Sequence, residues 1–170
     1  MELKTLRLYI RNLREDDWIK MKGLFIDFNN SKYAAYDRPL PTEDMGVETL
    51  TRQFVESNLF FAVHLLDSSQ MIGYVCFHKD AEKYDLGYCF HSMFHSNGYA
   101  YESIRALIDY FVREYNATIF TAGTAIDNTP SCRLLEKLGF ECVSMEYLSF
   151  KENFSFKSGN FILNCTTAEK

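Results

Sequence analysis

The sequence predicts a single α/β (α+β) domain over residues 1–170, with a mixed, mostly antiparallel sheet and helices on both faces. Short apolar segments, either alternating with period two or continuous, are interspersed with segments whose apolar residues recur at three-to-four spacing. No repeat or Pro/Gly-rich linker divides the chain, and 170 residues is a typical length for one domain. These observations favour one core built around one sheet.

The first third of the chain predicts a strand followed by two helices. Leu6–Arg11 alternates apolar and polar residues and predicts a half-buried strand. A helix is expected over about residues 15–29, because large apolar residues recur there at helical spacing. After a proline-containing loop, a second helix is expected over about residues 42–57, with Thr42 as its N-cap.

Three strands joined by short turns come next. They are expected at Leu59–Leu66, Met71–His78 and about Asp85–His91. Because such short connections can join only antiparallel neighbours, these strands predict a meander.

The remainder predicts a helix, a strand, a helix and two closing strands. The expected elements are a helix ending near Tyr115, a strand over Thr118–Ile126, a helix opened by Thr129, and strands over Glu141–Phe150 and Lys157–Cys165. In the second helix Thr129 is the expected N-cap and Pro130 the first helical residue, and Gly139 is the expected left-handed stop.

Composition limits the function classes. The 18 Lys and Arg are scattered and outnumbered by 23 Asp and Glu, which disfavours a nucleic-acid partner. The longest apolar stretch, Leu59–Leu66, is too short to cross a bilayer. The five cysteines show no CxxC spacing and the histidines no metal-ligand spacing, so a cytoplasmic protein with reduced thiols and no metal is expected.

The segment most informative about function is the junction at Ser92–Tyr101. A strand ends there, a turn containing Gly98 follows, and an amphipathic helix begins. A helix N-terminus offers unpaired N–H groups and a positive dipole end, and glycine lets the backbone approach a ligand closely. This arrangement suits a pyrophosphate, although a plain turn gives the same local pattern.

Several motifs resemble those of the GNAT acetyltransferases, in particular the ribosomal-protein N-terminal acetyltransferase branch (RimJ/RimL-type). The motifs are Thr5–Arg11, Leu86–Tyr88, His95–Glu102, Asn128–Ser131 and Leu135–Phe140. The resemblance covers nearly the whole chain. It implies the GNAT fold, a six- to seven-stranded sheet with a splayed central strand pair.

The resemblance also implies acetyl-CoA as co-substrate. The family's cofactor turn is Gln/Arg-x-x-Gly-x-Gly/Ala. Gly98 and Ala100 match it, whereas His95 departs from it and Ser96 stands where the family often has Gly. The residues assigned to the cofactor in this way are Tyr88, Cys89, Phe90, His95, Ser96, Asn97, Gly98, Tyr99, Ala100, Tyr101, Asn128 and Ser131.

Three residues are the catalytic candidates. The resemblance implies that the Phe90 N–H stabilises the oxyanion. The tyrosine acid of many family members is replaced by Leu135, so Ser131 is the candidate donor to the sulfur, with a first-turn polar residue as its alternative role. Asp85, where this branch often has Glu, is the candidate base or amine anchor, with a surface role as the alternative; Glu146 is a further candidate.

The predicted function is therefore transfer of an acetyl group from acetyl-CoA to a primary amine by direct attack in a ternary complex. The amine is either a protein N-terminus or a small molecule. The alternative is a non-catalytic acyl-CoA-binding sensor or scaffold of the same fold. The segment Asn29–Pro41 is expected to wall the acceptor site, with Tyr33, Tyr36, Asp37 and Arg38 either contacting the acceptor or packing the loop. Homodimers are common in the family, so the resemblance allows one here.

Overall fold

The computed structural model describes residues 1–151, with no side-chain detail at residue 151, and residues 154–165. The strands are β1 Glu2–Lys4, β2 Leu8–Asn12, β3 Phe60–Leu65, β4 Met71–Asp80, β5 Lys83–Phe90, β6 Ile119–Ala125, β7 Glu141–Lys151 and β8 Phe154–Asn164. The α-helices are α1 Trp18–Asn29, α2 Asp44–Glu56, α3 Tyr99–Tyr115 and α4 Thr129–Leu138. Short 3-10 segments lie at Glu15–Asp17, Lys32–Tyr36 and Ser92–Phe94.

All strands belong to one sheet of order β1-β2-β3-β4-β5-β6-β8-β7. Every neighbouring pair is antiparallel except β5 and β6, which are parallel and joined by α3 as the crossover. The mixed α/β fold predicted from the sequence is confirmed, with eight strands in place of six to seven. The additional strand, β1, has three residues, too few for an alternating pattern to be recognised.

The central parallel pair separates along its length. Pairing between β5 and β6 ends at Asp85 and Thr121, and the rest of the two strands has no register partner across the gap. The outer edge of β5 stays paired with β4 as far as Phe90, and the outer edge of β6 stays paired with β8 as far as Ala125. The predicted splay is thus confirmed, and it opens a gap in the middle of an otherwise continuous sheet.

Helices cover both faces of the sheet. One core joins α3 and α4 to the sheet through buried residues such as Leu107, Phe111 and Leu135. The other joins α1 and α2 to the opposite face through Met21, Phe25 and others. Burial of these side chains supplies most of the favourable free energy of folding.

Two helix starts differ from the sequence predictions. α2 begins at Asp44 with Glu43 as N-cap, rather than with Thr42. The N-cap of α4 is Asn128, whose side-chain oxygen accepts the Ser131 N–H at 3.4 Å, rather than Thr129. Asn is at least as good an N-cap as Thr, so an adjacent pair of caps cannot be ranked from sequence alone. Gly139 ends α4 at φ 96°, as predicted.

A buried ionic cluster ties β2 to the first helical segment. Arg11 donates from both terminal nitrogens to the Asp17 carboxylate, at 2.7 and 2.8 Å. Arg11 is 8% exposed and Asp17 is fully buried. Burial acts to raise the pKa of Asp17, but the hydrogen bonds from Arg11 and the Arg14 backbone outweigh it, so the pKa lies below its usual value.

No helix in the described ranges has the length and hydropathy needed to cross a bilayer.

Candidate active site

A cavity of about 680 Å³ occupies the splay and reaches both faces of the sheet. Its walls come from residues 86–90 of β5, residues 122–125 of β6, the turn before α3 with the first residues of that helix, one side of α4, and the end of α1 with the 3-10 segment after it. The volume is typical of a small-molecule site. The cavity between the two strands is therefore lined by elements on both faces of the sheet, α3 and α4 on one and α1 on the other.

The open edge of β5 presents unpaired backbone groups to this cavity. The His91 N–H, just after β5, bonds to the Ile72 carbonyl on β4, whereas the Phe77 N–H of β4 bonds to the Leu59 carbonyl on the side away from β5. With the β4–β5 register, these two bonds show which residues of β5 form backbone hydrogen bonds with β4. Because backbone groups in an antiparallel pair alternate between the two sides, those of Tyr88 and Phe90 point away from β4 into the splay. The Phe90 N–H thus faces the splay between β5 and β6.

His95, which departs from the family's turn pattern, reaches back to this edge. Its Nε2 lies 2.7 Å from the Phe90 carbonyl oxygen, and since a carbonyl can only accept, the ring donates. His95 therefore connects the start of the turn to the last residue of β5.

The turn itself has the geometry expected of an anion site. Gly98 has φ 80°, a left-handed conformation that glycine adopts at low cost, and it is the N-cap of α3. The Glu102 N–H is the first to bond within the helix, to the Gly98 carbonyl, so those of Tyr99, Ala100 and Tyr101 have no partner within it. These donors lie at the positive end of a helix of 17 residues.

An interaction that the sequence analysis missed holds this turn in place, and Arg7 is at its centre. Its guanidinium pairs with the Glu102 carboxylate through Nε at 2.7 Å and Nη2 at 2.6 Å, and its Nη1 donates to the Asn97 carbonyl at 3.0 Å. Thr5 donates to the same carboxylate at 2.6 Å, and the guanidinium lies 4.6 Å from the centre of the Tyr99 ring. The Thr5–Arg11 motif was the available signal, but the contact spans about 95 residues of chain.

Two hydroxyl groups meet at the α4 side of the cavity. The Tyr88 hydroxyl and Ser131 Oγ lie 2.6 Å apart, and both residues line the cavity. Burial raises the pKa of Tyr88 to about 12, so its hydroxyl stays protonated at neutral pH and can donate. Leu135, at the usual tyrosine position, is buried and supplies no donor.

The two candidate bases lie outside the cavity wall. Asp85 is exposed at the last paired position of β5 and accepts a hydrogen bond from Thr121 Oγ1 at 2.8 Å. Glu146 lies on the edge strand β7 and accepts from Asn160 Nδ2 at 3.0 Å.

Of the residues assigned to the cofactor, all line the cavity except Asn97, whose side chain donates to the His95 carbonyl.

At the α1 side the cavity is acidic and aromatic. Asp27, Tyr33, Tyr36 and Asp37 line it, whereas Arg38 does not. Asp27, which the sequence analysis also missed, accepts hydrogen bonds from the Ser92 N–H at 2.8 Å and the Ser92 hydroxyl at 2.6 Å. In sequence Asp27 is indistinguishable from a surface acid of α1, because only the tertiary fold brings it to Ser92.

Within residues 1–151 and 154–165, no group of three or more His, Cys, Asp or Glu side chains is arranged to hold a metal ion.

Comparison with known proteins identifies the family. The model of the acetyltransferase (GNAT) domain family matches residues 7–141. The uncharacterized N-acetyltransferase YnaD of Bacillus subtilis is 30% identical, and the match covers 82% of each chain.

Solved structures have the same fold. A GNAT-family acetyltransferase from Bacillus anthracis superposes with a TM-score of 0.85 at 23% identity, covering 96% of this chain and 98% of that one. The ribosomal L7/L12 alpha-N-protein acetyltransferase RimL, in complex with coenzyme A, superposes with a TM-score of 0.86 at 13% identity over 96% and 98% of the two chains. With the family model matched across the splay, the turn and α4, the chain belongs to the GNAT acetyltransferase family and is an acyltransferase.

Proposed function

We propose that this acetyltransferase moves an acetyl group from acetyl-CoA to a primary amine by direct attack in a ternary complex. The observation that carries the proposal is the open backbone edge of β5, which leads directly into the Gly98 turn at the N-terminus of α3. An amide-containing arm can pair with such an edge as an added strand would, and a pyrophosphate can accept from the amides beyond it.

The residues present fit acetyl-CoA. The backbone groups of Tyr88 would pair with the pantetheine arm, and the free N–H groups at the start of α3 would hold the pyrophosphate. Arg133 and Lys137 of α4 also line the cavity and carry positive charge, and the Lys137 ammonium lies 4.6 Å from the centre of the Tyr101 ring. Gly98 keeps a side chain away from the ligand.

Each chemical requirement has a candidate group. The attacking nitrogen forms a bond to the acetyl carbon, the carbon–sulfur bond breaks, the nitrogen loses a proton, and the sulfur gains one. The Phe90 N–H would donate to the carbonyl oxygen as negative charge develops, a contribution worth about 3 kcal/mol in comparable sites. Ser131, hydrogen-bonded to Tyr88, would donate to the departing sulfur.

The proton of the amine would leave through water. Asp85 lies outside the cavity wall, two residues before Gly87 on the same face of β5, so it would receive this proton through water rather than by direct contact.

The experiment is to incubate the protein with acetyl-CoA and a panel of primary amines while following free thiol. Amine-dependent thiol release is expected, together with a rise in melting temperature on adding acetyl-CoA alone. Binding without thiol release for every amine would favour the sensor alternative and contradict the proposal.

A matched pair of variants tests where the cofactor binds. Gly98→Ala should weaken acetyl-CoA binding, because a left-handed conformation costs a side chain about 1–2 kcal/mol. Gly23→Ala lies in α1 with open space around it and should leave binding unchanged. Equal affinity in both variants would show that the turn is only a turn.

A further inference from the structure

The end of the cavity nearest α1 carries two carboxylates, those of Asp27 and Asp37, whereas a simple amine has a single nitrogen. We define the acceptor end as Asp27, Tyr33, Tyr36, Asp37 and Cys89, all of which line the cavity. The inference below rests on the proposed function and concerns the chemistry of its acceptor.

Asp37 has no cationic partner. In the described part of the chain its carboxylate accepts only the N–H of Arg38, at 2.7 Å, and forms no ion pair. The Arg38 guanidinium instead lies 5.9 Å from the centre of the Phe150 ring. An unpaired carboxylate at the wall of a cavity is available to a ligand cation.

Asp27 is charged as well. Burial acts to raise its pKa, but the two hydrogen bonds from Ser92 outweigh this, and the pKa lies below the usual value. His91 Nδ1 lies 3.8 Å from the Asp27 carboxylate and accepts the Met93 N–H, so this nitrogen has no proton to donate to Asp27. Both oxygens of Asp27 are already occupied by Ser92, so it supplies charge more readily than a new hydrogen bond.

The carboxylates of Asp27 and Asp37 both raise the pKa of the same group, the Cys89 thiol. Burial raises the pKa of Cys89 to about 12, and the charges of Asp27 and Asp37 add to this effect. Cys89 directly precedes Phe90, whose N–H faces the splay. The Lys and Arg residues that line the cavity, Lys137 and Arg133, belong to α4 on the other face of the sheet.

Aromatic rings complete the walls. Tyr36 is fixed by Phe156, at 5.2 Å between ring centres, and by Phe154, at 6.1 Å. Tyr33 lies three residues before it in the same 3-10 segment. The Lys32 ammonium already lies 5.0 Å from the centre of the Tyr33 ring, so Tyr36 is the ring that would attract a ligand ammonium through cation–π contact.

The reaction removes the charge of the nitrogen that attacks. An amine attacks only when neutral, and the amide that it forms is neutral, so in the reactive complex a monoamine offers no cation to the exposed Asp37 carboxylate. We infer that the acceptor carries a second nitrogen that stays cationic during transfer, held by Asp37 beside the tyrosine rings of the acceptor end. A short aliphatic diamine has this chemistry, and so does a peptide N-terminus followed by a lysine.

The test compares acceptors that differ only in the second charge. With saturating acetyl-CoA, kcat/KM is measured for 1,4-diaminobutane, 1-aminobutane and 4-amino-1-butanol. The diamine should exceed both neutral-tailed amines by about two- to fivefold, the effect of one ion pair with an exposed carboxylate. Tetrapeptides beginning Ala-Lys and Ala-Met form a second arm, and a lysine preference greater than that for the diamine would assign the charge to a polypeptide acceptor.

Two variants test whether Asp37 recognises the second positive charge of the acceptor. Asp37→Asn should reduce the diamine-to-monoamine ratio of kcat/KM by about two- to fivefold, mainly through KM. Asp67→Asn, in the exposed β3–β4 turn, is the matched control and should keep the wild-type ratio. An acetyl-CoA-induced melting shift in Asp37→Asn shows that the variant is folded and binds the cofactor.

The outcomes separate this inference from the proposed function. Turnover of all amines with no preference for the second charge, or a preference unchanged in Asp37→Asn, would overturn the inference while leaving amine acetylation intact. An absence of turnover with every amine would instead contradict the proposed function.

Discussion

Replacing Arg7 with methionine tests whether the N-terminal segment positions the cofactor turn. Arg7 does not line the cavity, but it holds the Asn97 carbonyl and neutralises Glu102 in the first turn of α3. Arg7→Met keeps the bulk of the side chain and removes both functions. The turn should then relax, and an uncompensated carboxylate should remain beside the proposed pyrophosphate site.

The expected magnitude follows from these contacts. The guanidinium is 43% exposed, so the ion pair is worth about 0.2–1 kcal/mol after solvent screening. The hydrogen bond to the Asn97 carbonyl adds about 0.5–1.5 kcal/mol. The sum predicts a roughly tenfold rise in the Kd of acetyl-CoA, with kcat near normal at saturation because no group at the reacting atoms is removed.

The assay is calorimetric titration of acetyl-CoA, with steady-state kinetics alongside. Arg105→Met is the matched control, because Arg105 forms an exposed ion pair with Asp109 on the same helix, at 3.6 Å, far from the turn. The double variant Arg7→Met/Glu102→Gln should bind more tightly than Arg7→Met, since it removes the unpaired charge. A wild-type Kd in Arg7→Met, or a loss equal to that of Arg105→Met, would refute the positioning role.

Three further predictions concern catalysis and stability. If Asp85 relays the amine proton, Asp85→Asn should lower kcat/KM by about 100- to 10,000-fold, less at high pH, with acetyl-CoA affinity unchanged; wild-type kinetics would exclude it. Ser131→Ala should lower kcat more than it raises the KM for acetyl-CoA, and an effect on KM alone would make Ser131 a binding residue. The lowered pKa of Asp17 means that its stabilising contribution is present above about pH 4, the unfolded value, and is lost as pH falls through the folded pKa. Urea unfolding should show this loss, and Asp17→Asn should cost about 3–5 kcal/mol at pH 7 by leaving Arg11 buried without its partner.

Element types were predictable because each follows from local periodicity. The alternation in β2, the apolar runs of β3 and β4, and the helical spacing in α3 all report a burial pattern within a few adjacent residues. Element ends were less predictable, since Asn128 and Thr129 are both good N-caps and only the folded backbone selects one. The three-residue strand β1 carries too little pattern to be found.

The candidate site, too, has parts that were predictable from the sequence and parts that were not. The cofactor turn was identifiable because Gly98, the helix start and the surrounding motifs lie within a dozen residues of sequence. Its support by Arg7 and the acidic acceptor end were not, because Asp27 reaches Ser92 across 65 residues and Arg7 reaches Glu102 across 95. The missed residues are polar side chains whose partners are distant in the chain.

The sequence by itself thus determined the fold class, the family resemblance and the position of the turn proposed to bind phosphate. Tertiary structure alone decided that β5 and β6 separate after Asp85 and Thr121, and that the cavity between them has a basic end and an acidic end. The physical reason is that periodicity records whether a residue is buried, whereas a site depends on which groups from different elements share that burial. Asp37 therefore has the sequence signature of an ordinary loop acid, and only the folded chain places it, unpaired, in the wall of the cavity.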